Sequence, residues 1–150
     1  MRLTLFFAVC FGAAWLGSRF TRPALFPWYA SLAKPPWTPP NWLFAPAWTV
    51  LFALMALAGW LVWWRTGFLS IPIGLFALQL VLNVAWSWLF FGLKSPIAGM
   101  IEILFLWLAI LATTIAFSRV NPVAGWLFVP YLAWVAYAAS LNFAIWRMNP

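Results

Sequence analysis

IAGMIEILFLWLAILATTIAFS, residues 97–118, runs for twenty-two residues and carries one charge, Glu102. About 20 apolar residues at about 1.5 Å rise each are enough for a helix to cross the hydrocarbon core of a bilayer. Lys94 precedes the run, and Arg119, Asn121 and Pro122 close it. The stretch therefore reads as a membrane-spanning helix. Four more apolar runs of the same kind lie to either side, at about 3–18, 43–64, 73–92 and 123–147. They stop near Arg19 and Arg22, at Arg65 and Gly67, at Gly92 and Lys94, and at Arg147 respectively. Backbone groups in lipid must be satisfied internally, so spanning structure is helix or closed barrel. Barrel strands alternate over about 9–11 residues, and these runs are longer and continuously apolar. The expected fold is an all-α five-transmembrane-helix bundle, a single membrane domain over residues 1–150, with its termini on opposite faces.

Composition supports the same class. The chain is 67% hydrophobic and 6% charged, whereas a soluble domain carries about 25% charged residues because its surface faces water. The net charge of +7 comes from eight Lys/Arg against one acid. These cations are scattered singly near the ends of apolar runs, with no basic stripe that would follow a phosphate backbone. They read as interfacial anchors and topology signals, and no nucleic-acid partner is expected. Arg2, Arg65 and Arg119 fall on one side; Arg19, Arg22, Lys34, Lys94 and Arg147 fall on the other. The positive-inside rule then places the carboxyl terminus in the cytoplasm. The first run resembles a secretory signal, with Arg2 ahead of an apolar stretch. No A-x-A site follows it, so an uncleaved helix is expected.

Conventional catalysis finds no support. The sequence has no histidine, a single cysteine (Cys10) and a single acid. That excludes an internal disulfide, a Cys/His metal cluster, a carboxylate pair and a Ser–His or Cys–His couple. No metal site and no cofactor are expected, and a haem would lack its usual His ligand.

The aromatic residues are the positive clue: fourteen Trp, fifteen Phe and three Tyr. Trp60, Trp63, Trp64 and Trp146 fit an interfacial belt. In the third run Gln79, Asn83, Trp86 and Phe90 share a helical stripe, and amides at that depth should face the bundle interior. They serve either helix-to-helix hydrogen bonds or a polar handle in a ligand pocket. Trp126, Pro130, Trp134, Tyr137 and Leu141 form a stripe on the fifth run, with Asn142 near its end. Trp48, Phe52, Met55 and Gly59 lie on one side of the second. Three such faces would enclose a flat apolar ligand. Glu102, inside the fourth run, is a functional candidate by position; pairing with Lys94 or Arg147 is the competing reading.

Several motifs now come together in order: Trp28-Tyr29, KPPWTPP at 34–40, PAWTVLF at 46–52, LVLNVAWSWLFFG at 80–92, VPYLAW at 129–134 and AASLN at 138–142. The chain resembles the TspO/MBR family, the translocator proteins, tryptophan-rich sensory proteins or peripheral-type benzodiazepine receptors. The resemblance covers nearly the whole chain. It implies a bundle, often dimeric, that binds tetrapyrroles such as protoporphyrin IX and also isoquinoline carboxamide and benzodiazepine-type ligands. The family pocket is enclosed by the five helices and lidded by the first loop. Carried over by matching position, its pocket residues are Tyr29, Trp37, Trp48, Asn83, Trp134 and Ala138, to which the helical stripe adds Trp86. Trp48 and Trp134 match two tryptophans implicated in porphyrin photodegradation, so a light- and oxygen-dependent degrading enzyme is the alternative to a binding protein, sensor or transporter. Animal members also bind cholesterol, through a Tyr followed closely by Lys/Arg after the fifth helix. Here Tyr137 stands ten residues before Arg147, so sterol is weakly supported. A bacterial cell-envelope membrane is the expected location.

The segment KPPWTPPNW (34–42) falls in the loop expected over about 19–42. Its prolines favour extended, low-entropy backbone. The expectation is a lid held across one end of the bundle, with Trp37 reaching toward the pocket and Lys34 near headgroups or an anionic ligand.

Overall fold

A computed structural model describes residues 2–150. Five helices follow one another: α1 (Arg2–Leu25), α2 (Asn41–Thr66), α3 (Ile71–Ser87), α4 (Pro96–Val120) and α5 (Pro122–Met148). Each is long and apolar enough to cross a membrane. The protein is thus an integral, multi-pass membrane bundle. α4 packs between α3 and α5, α1 against α2 and α3, and α2 closes onto α5.

Helix starts are set by a repeated device. Ser70, Ser95 and Asn121 each cap a helix through a side-chain oxygen that accepts from a first-turn backbone N–H, and each is followed by proline at one of the first two helical positions. The cap satisfies an orphan donor, and the proline has no N–H to leave unsatisfied. α2 stops at Gly67, whose φ of +76° suits glycine and whose N–H reaches back to the Trp63 carbonyl at 2.8 Å. Arg65 crosses to the end of α4, donating to the Val120 carbonyl at 2.8 Å.

Two departures from the sequence expectation stand out. α1 does not end near residue 18 but runs to Leu25, carrying Arg19 and Arg22 on its last turns. Gly17 does not break it, because it is buried where α1 meets α3; a Cβ there would lie 3.3 Å from the Ser87 hydroxyl. Pro23 is held in the last turn, and Pro27 lies just beyond. The connecting loop is correspondingly shorter, residues 26–40, with a 3₁₀ turn at Tyr29–Ser31. The second departure is a π-helical turn at Trp88–Gly92 that continues α3, closed by Leu93 N–H donating to the Trp88 carbonyl at 2.8 Å. Such turns re-aim side chains, often at functional sites. Here Phe90 and Phe91 both turn inward.

The core divides along the bundle axis. Away from the loop, Phe6, Cys10, Met55, Phe76, Phe117 and Phe128 fill the interior. Phe76 stacks on Phe117 at 6.0 Å between ring centroids, and Phe117 meets Phe128 edge-on at 5.1 Å. Gly59 allows that plug to close, since a Cβ there would lie 2.9 Å from the Phe6 ring. A second cluster, Ala24, Tyr29, Phe90, Phe91 and Ile145, sits under the loop.

Candidate ligand site

Between the plug and the loop the bundle is hollow. A cavity of about 510 Å³ lies there, within the range of small-molecule sites. Its walls come from α1, α2, α3 with its π turn, α5 and the loop. α4 contributes no lining residue, a departure from the five-walled pocket that the resemblance implies. The reason is local: Gly99 of α4 lets Phe90 and Asn142 pack directly over it, where a Cβ would come within about 3 Å of both.

Small residues create the space. Ala13, Ala14 and Gly17 on α1, Ala45 on α2 and Ala138 on α5 face it. Around them stand aromatic planes. Trp48 and Trp134 meet edge to face at 6.4 Å and 86°. Phe44 packs on Trp134 at 6.4 Å, and Trp86 stacks on Phe90 at 5.1 Å. The Trp86 indole is fixed by donating to the Asn142 side-chain carbonyl at 3.0 Å, while Asn142 donates to the Pro96 carbonyl at 2.8 Å. That relay anchors the aromatic wall to the first turn of α4.

Beneath the cavity runs a buried polar chain. Asn83 donates to the Tyr131 hydroxyl at 2.7 Å, Tyr131 donates to the Gln79 carbonyl oxygen at 2.8 Å, and the Gln79 amide rests on the Met55 sulfur at 3.8 Å. The amides of the α3 stripe are therefore helix-to-helix bonded, and Asn83 also lines the cavity. Both readings of that stripe hold at once.

Six of the seven residues expected at the site line the cavity: Tyr29, Trp48, Asn83, Trp86, Trp134 and Ala138. Trp37 does not. Its side chain is half exposed, and its backbone carbonyl accepts from the Tyr137 hydroxyl. The loop residue that does face the cavity is Tyr29, and burial pushes its hydroxyl up to about 12, with Tyr137 adding to the shift. Tyr29 therefore meets the cavity as a neutral hydroxyl. Lys34 is turned away from any ligand: its ammonium donates to the carbonyls of Tyr29 (2.8 Å) and Leu32 (3.0 Å) and lies 4.8 Å from the centre of the Tyr29 ring. The Tyr29 carbonyl also accepts the Leu32 N–H that closes the 3₁₀ turn, at 3.2 Å, so the ammonium caps the end of that turn.

The α5 stripe is corrected too. Trp126 and Pro130 face outward, and the buried line is Phe128, Tyr131, Val135 and Asn142. Aromatic residues occur on both sides of α5, so hydrophobicity could not fix its rotation. The informative signal was the Tyr131 hydroxyl opposite two amides of α3. Glu102 forms no pair with Lys94 or Arg147. It is buried, and neither carboxylate oxygen has a hydrogen-bond partner among the described residues.

Comparison with known proteins decides the family. The TspO/MBR family model matches residues 6–147. The chain belongs to the TspO/MBR family. This TspO/MBR chain is 46% identical to the tryptophan-rich protein TspO of Chlorobaculum tepidum over 154 aligned positions, covering all of this chain and 97% of that protein. It is 42% identical to the translocator protein of Bos taurus, over 89% of this chain and 82% of the bovine one. Protein CrtK of Rhodobacter capsulatus is 40% identical, over all of this chain and 96% of that relative.

Proposed function

We propose that the protein binds flat, largely apolar tetrapyrroles, protoporphyrin IX among them, in the cavity under the loop, and acts as a sensor or carrier for them in a bacterial envelope membrane. The observation that carries this reading is the facing set of indoles: Trp48 and Trp134 on one wall and Trp86 on another, around about 510 Å³ of space. Aromatic walls bind a planar ring through dispersion and edge or stacked contacts, and Asn83 and Tyr29 supply polar contacts at the floor and roof. Isoquinoline carboxamide and benzodiazepine-type ligands share that chemistry. Sterol is the weakest candidate, because the Tyr137 hydroxyl is already engaged by the loop. Homodimerisation and a cytoplasmic carboxyl terminus belong to the same proposal.

Protoporphyrin IX titrated into the detergent-solubilised protein should quench tryptophan fluorescence saturably, and Trp134→Ala should weaken binding about tenfold or more, in line with an aromatic contact of about 0.5–1.5 kcal/mol plus lost burial. Quenching no different from that of an unrelated membrane protein rejects the reading.

A second reading, light- and oxygen-dependent degradation of the bound ring, is favoured by one observation: the Trp48–Trp134 pair lies on the cavity wall. Under illumination, Trp48→Phe with Trp134→Phe should then retain binding and lose turnover. Equal product from the double variant rejects degradation while leaving the binding protein intact.

A further inference from the structure

Among the described residues, the cavity wall contains a single charged side chain, Arg22. It stands one turn before the end of α1, at Leu25, and it is exposed. Across from it, Asn41, Ala45 and Thr49 of α2 line the cavity and remain exposed. Trp15, two turns deeper on α1, does the same with 59% of its surface accessible. Cavity-lining residues that stay this exposed mark an opening. These residues trace one between α1 and α2, roughly 10 Å long at 1.5 Å per residue from Trp15 to Arg22. In a bilayer its deep part would face acyl chains, and Arg22, a guanidinium on a long apolar stem, would reach the headgroup level.

None of the other cations assigned to this side, Arg19, Lys34, Lys94 and Arg147, lines the cavity. Lys34 is held by loop carbonyls. Arg19 lies 5.3 Å from the centre of the Trp15 ring and does not line the cavity.

We propose that the gap between α1 and α2 is a lateral mouth, and that Arg22 at its rim anchors the acidic group of an amphiphilic ligand whose apolar body fills the cavity. This rests on the tetrapyrrole reading and narrows it: the ligand is an anionic, carboxylate-bearing ring rather than a neutral one. Carboxylate and guanidinium match as a bidentate, charge-assisted pair, stronger than a neutral contact. Protoporphyrin IX, with propionic acids along one edge of a flat macrocycle, has this shape; its dimethyl ester keeps the ring and loses the charge.

The test measures the affinity of both compounds for the wild-type protein, Arg22→Gln and Arg22→Lys in lipid nanodiscs. Arg22→Gln should weaken protoporphyrin IX by about tenfold or more and change the ester by less than about twofold. Arg22→Lys should recover a large part of the loss, and the protoporphyrin preference of the wild type should shrink as salt rises. Equal losses for acid and ester, or no loss for either, overturn the anchor while leaving the cavity as a tetrapyrrole site. Failure of both compounds to bind the wild type overturns the tetrapyrrole reading itself, and the anchor with it.

Discussion

The two halves of the bundle are made of the same kinds of residue and do opposite things. Away from the loop, Phe6, Phe76, Phe117 and Phe128 interlock into a solid plug. Toward the loop, Trp48, Trp86, Trp134 and Phe90 stand around an empty space. Aromatic content does not distinguish them. In the plug, Met55, Ile110 and Val62 fill the space between the rings, whereas in the hollow half Ala13, Ala14, Gly17 and Ala138 leave it open. Large rings held apart by small residues make a cavity, because a close-packed interior cannot relax over a gap of that size. The chain of Asn83, Tyr131 and Gln79 marks the border between the halves.

The sharpest way to break this comparison is to exchange the properties of the two halves. Phe128→Ala removes a fully buried ring from the plug and should lower stability by about 3–5 kcal/mol, read as a fall in thermal unfolding temperature in detergent. Porphyrin affinity of the protein still folded should change by less than about threefold. Ala138→Trp fills the hollow half instead. It should lower porphyrin affinity by about a hundredfold, equivalent to about 2.7 kcal/mol, with stability changed by less than about 1 kcal/mol, because the new ring enters existing space rather than a packed core. If the two variants affect stability and affinity alike, plug and cavity are not separate parts.

The next prediction concerns the border. Tyr131→Phe keeps the ring and removes the hydroxyl that both accepts from Asn83 and donates to Gln79. Two buried amides then lose their partner, at about 1–3 kcal/mol of stability for each group left unsatisfied. Because Asn83 also lines the cavity, porphyrin affinity should fall by a smaller factor, about threefold. A variant of unchanged stability would mean that a cavity water replaces the hydroxyl, and the polar chain would then belong to the site rather than to the fold.

How far the sequence carried this reading differs between the two halves and the loop. The five spans were legible because each is a long apolar run closed by a cation. Six cavity residues were reached through motif order and the α3 stripe. Tyr131 was missed, although VPYLAW contains it, because periodicity on a helix apolar all round gives no rotation. Arg22 was read as the marker that ended α1, and the helix in fact continues past it to Leu25. A single charge after an apolar run signals a membrane boundary, which is not the same as a helix boundary. Trp37 was placed in the pocket by the resemblance, whereas here its backbone is tied to Tyr137 and its indole is half exposed.

The loop gives the smallest expected effect and the finest test of the comparison, because it belongs to neither half by packing alone. It is strapped to the end of α5 by polar contacts. Asn149 accepts from the Ala33 N–H at 3.0 Å and donates to the Ala33 carbonyl at 2.9 Å, and Tyr137 donates to the Trp37 carbonyl. Pro35 and Pro39 are buried, while Pro36 and Pro40 are exposed. Asn149→Ala with Tyr137→Phe should cost at most about 1 kcal/mol of stability, since exposed hydrogen bonds exchange readily with water. The same change frees Tyr29, the loop's contribution to the cavity roof, so porphyrin dissociation should accelerate about three- to tenfold in stopped-flow displacement. Replacing Pro35, Pro36, Pro39 and Pro40 with Ala should push dissociation the same way by loosening the backbone. If unfolding temperature and dissociation rate move together in both variants, the loop braces the fold. If dissociation alone moves, it is a lid, closed through Tyr29 and held by Asn149.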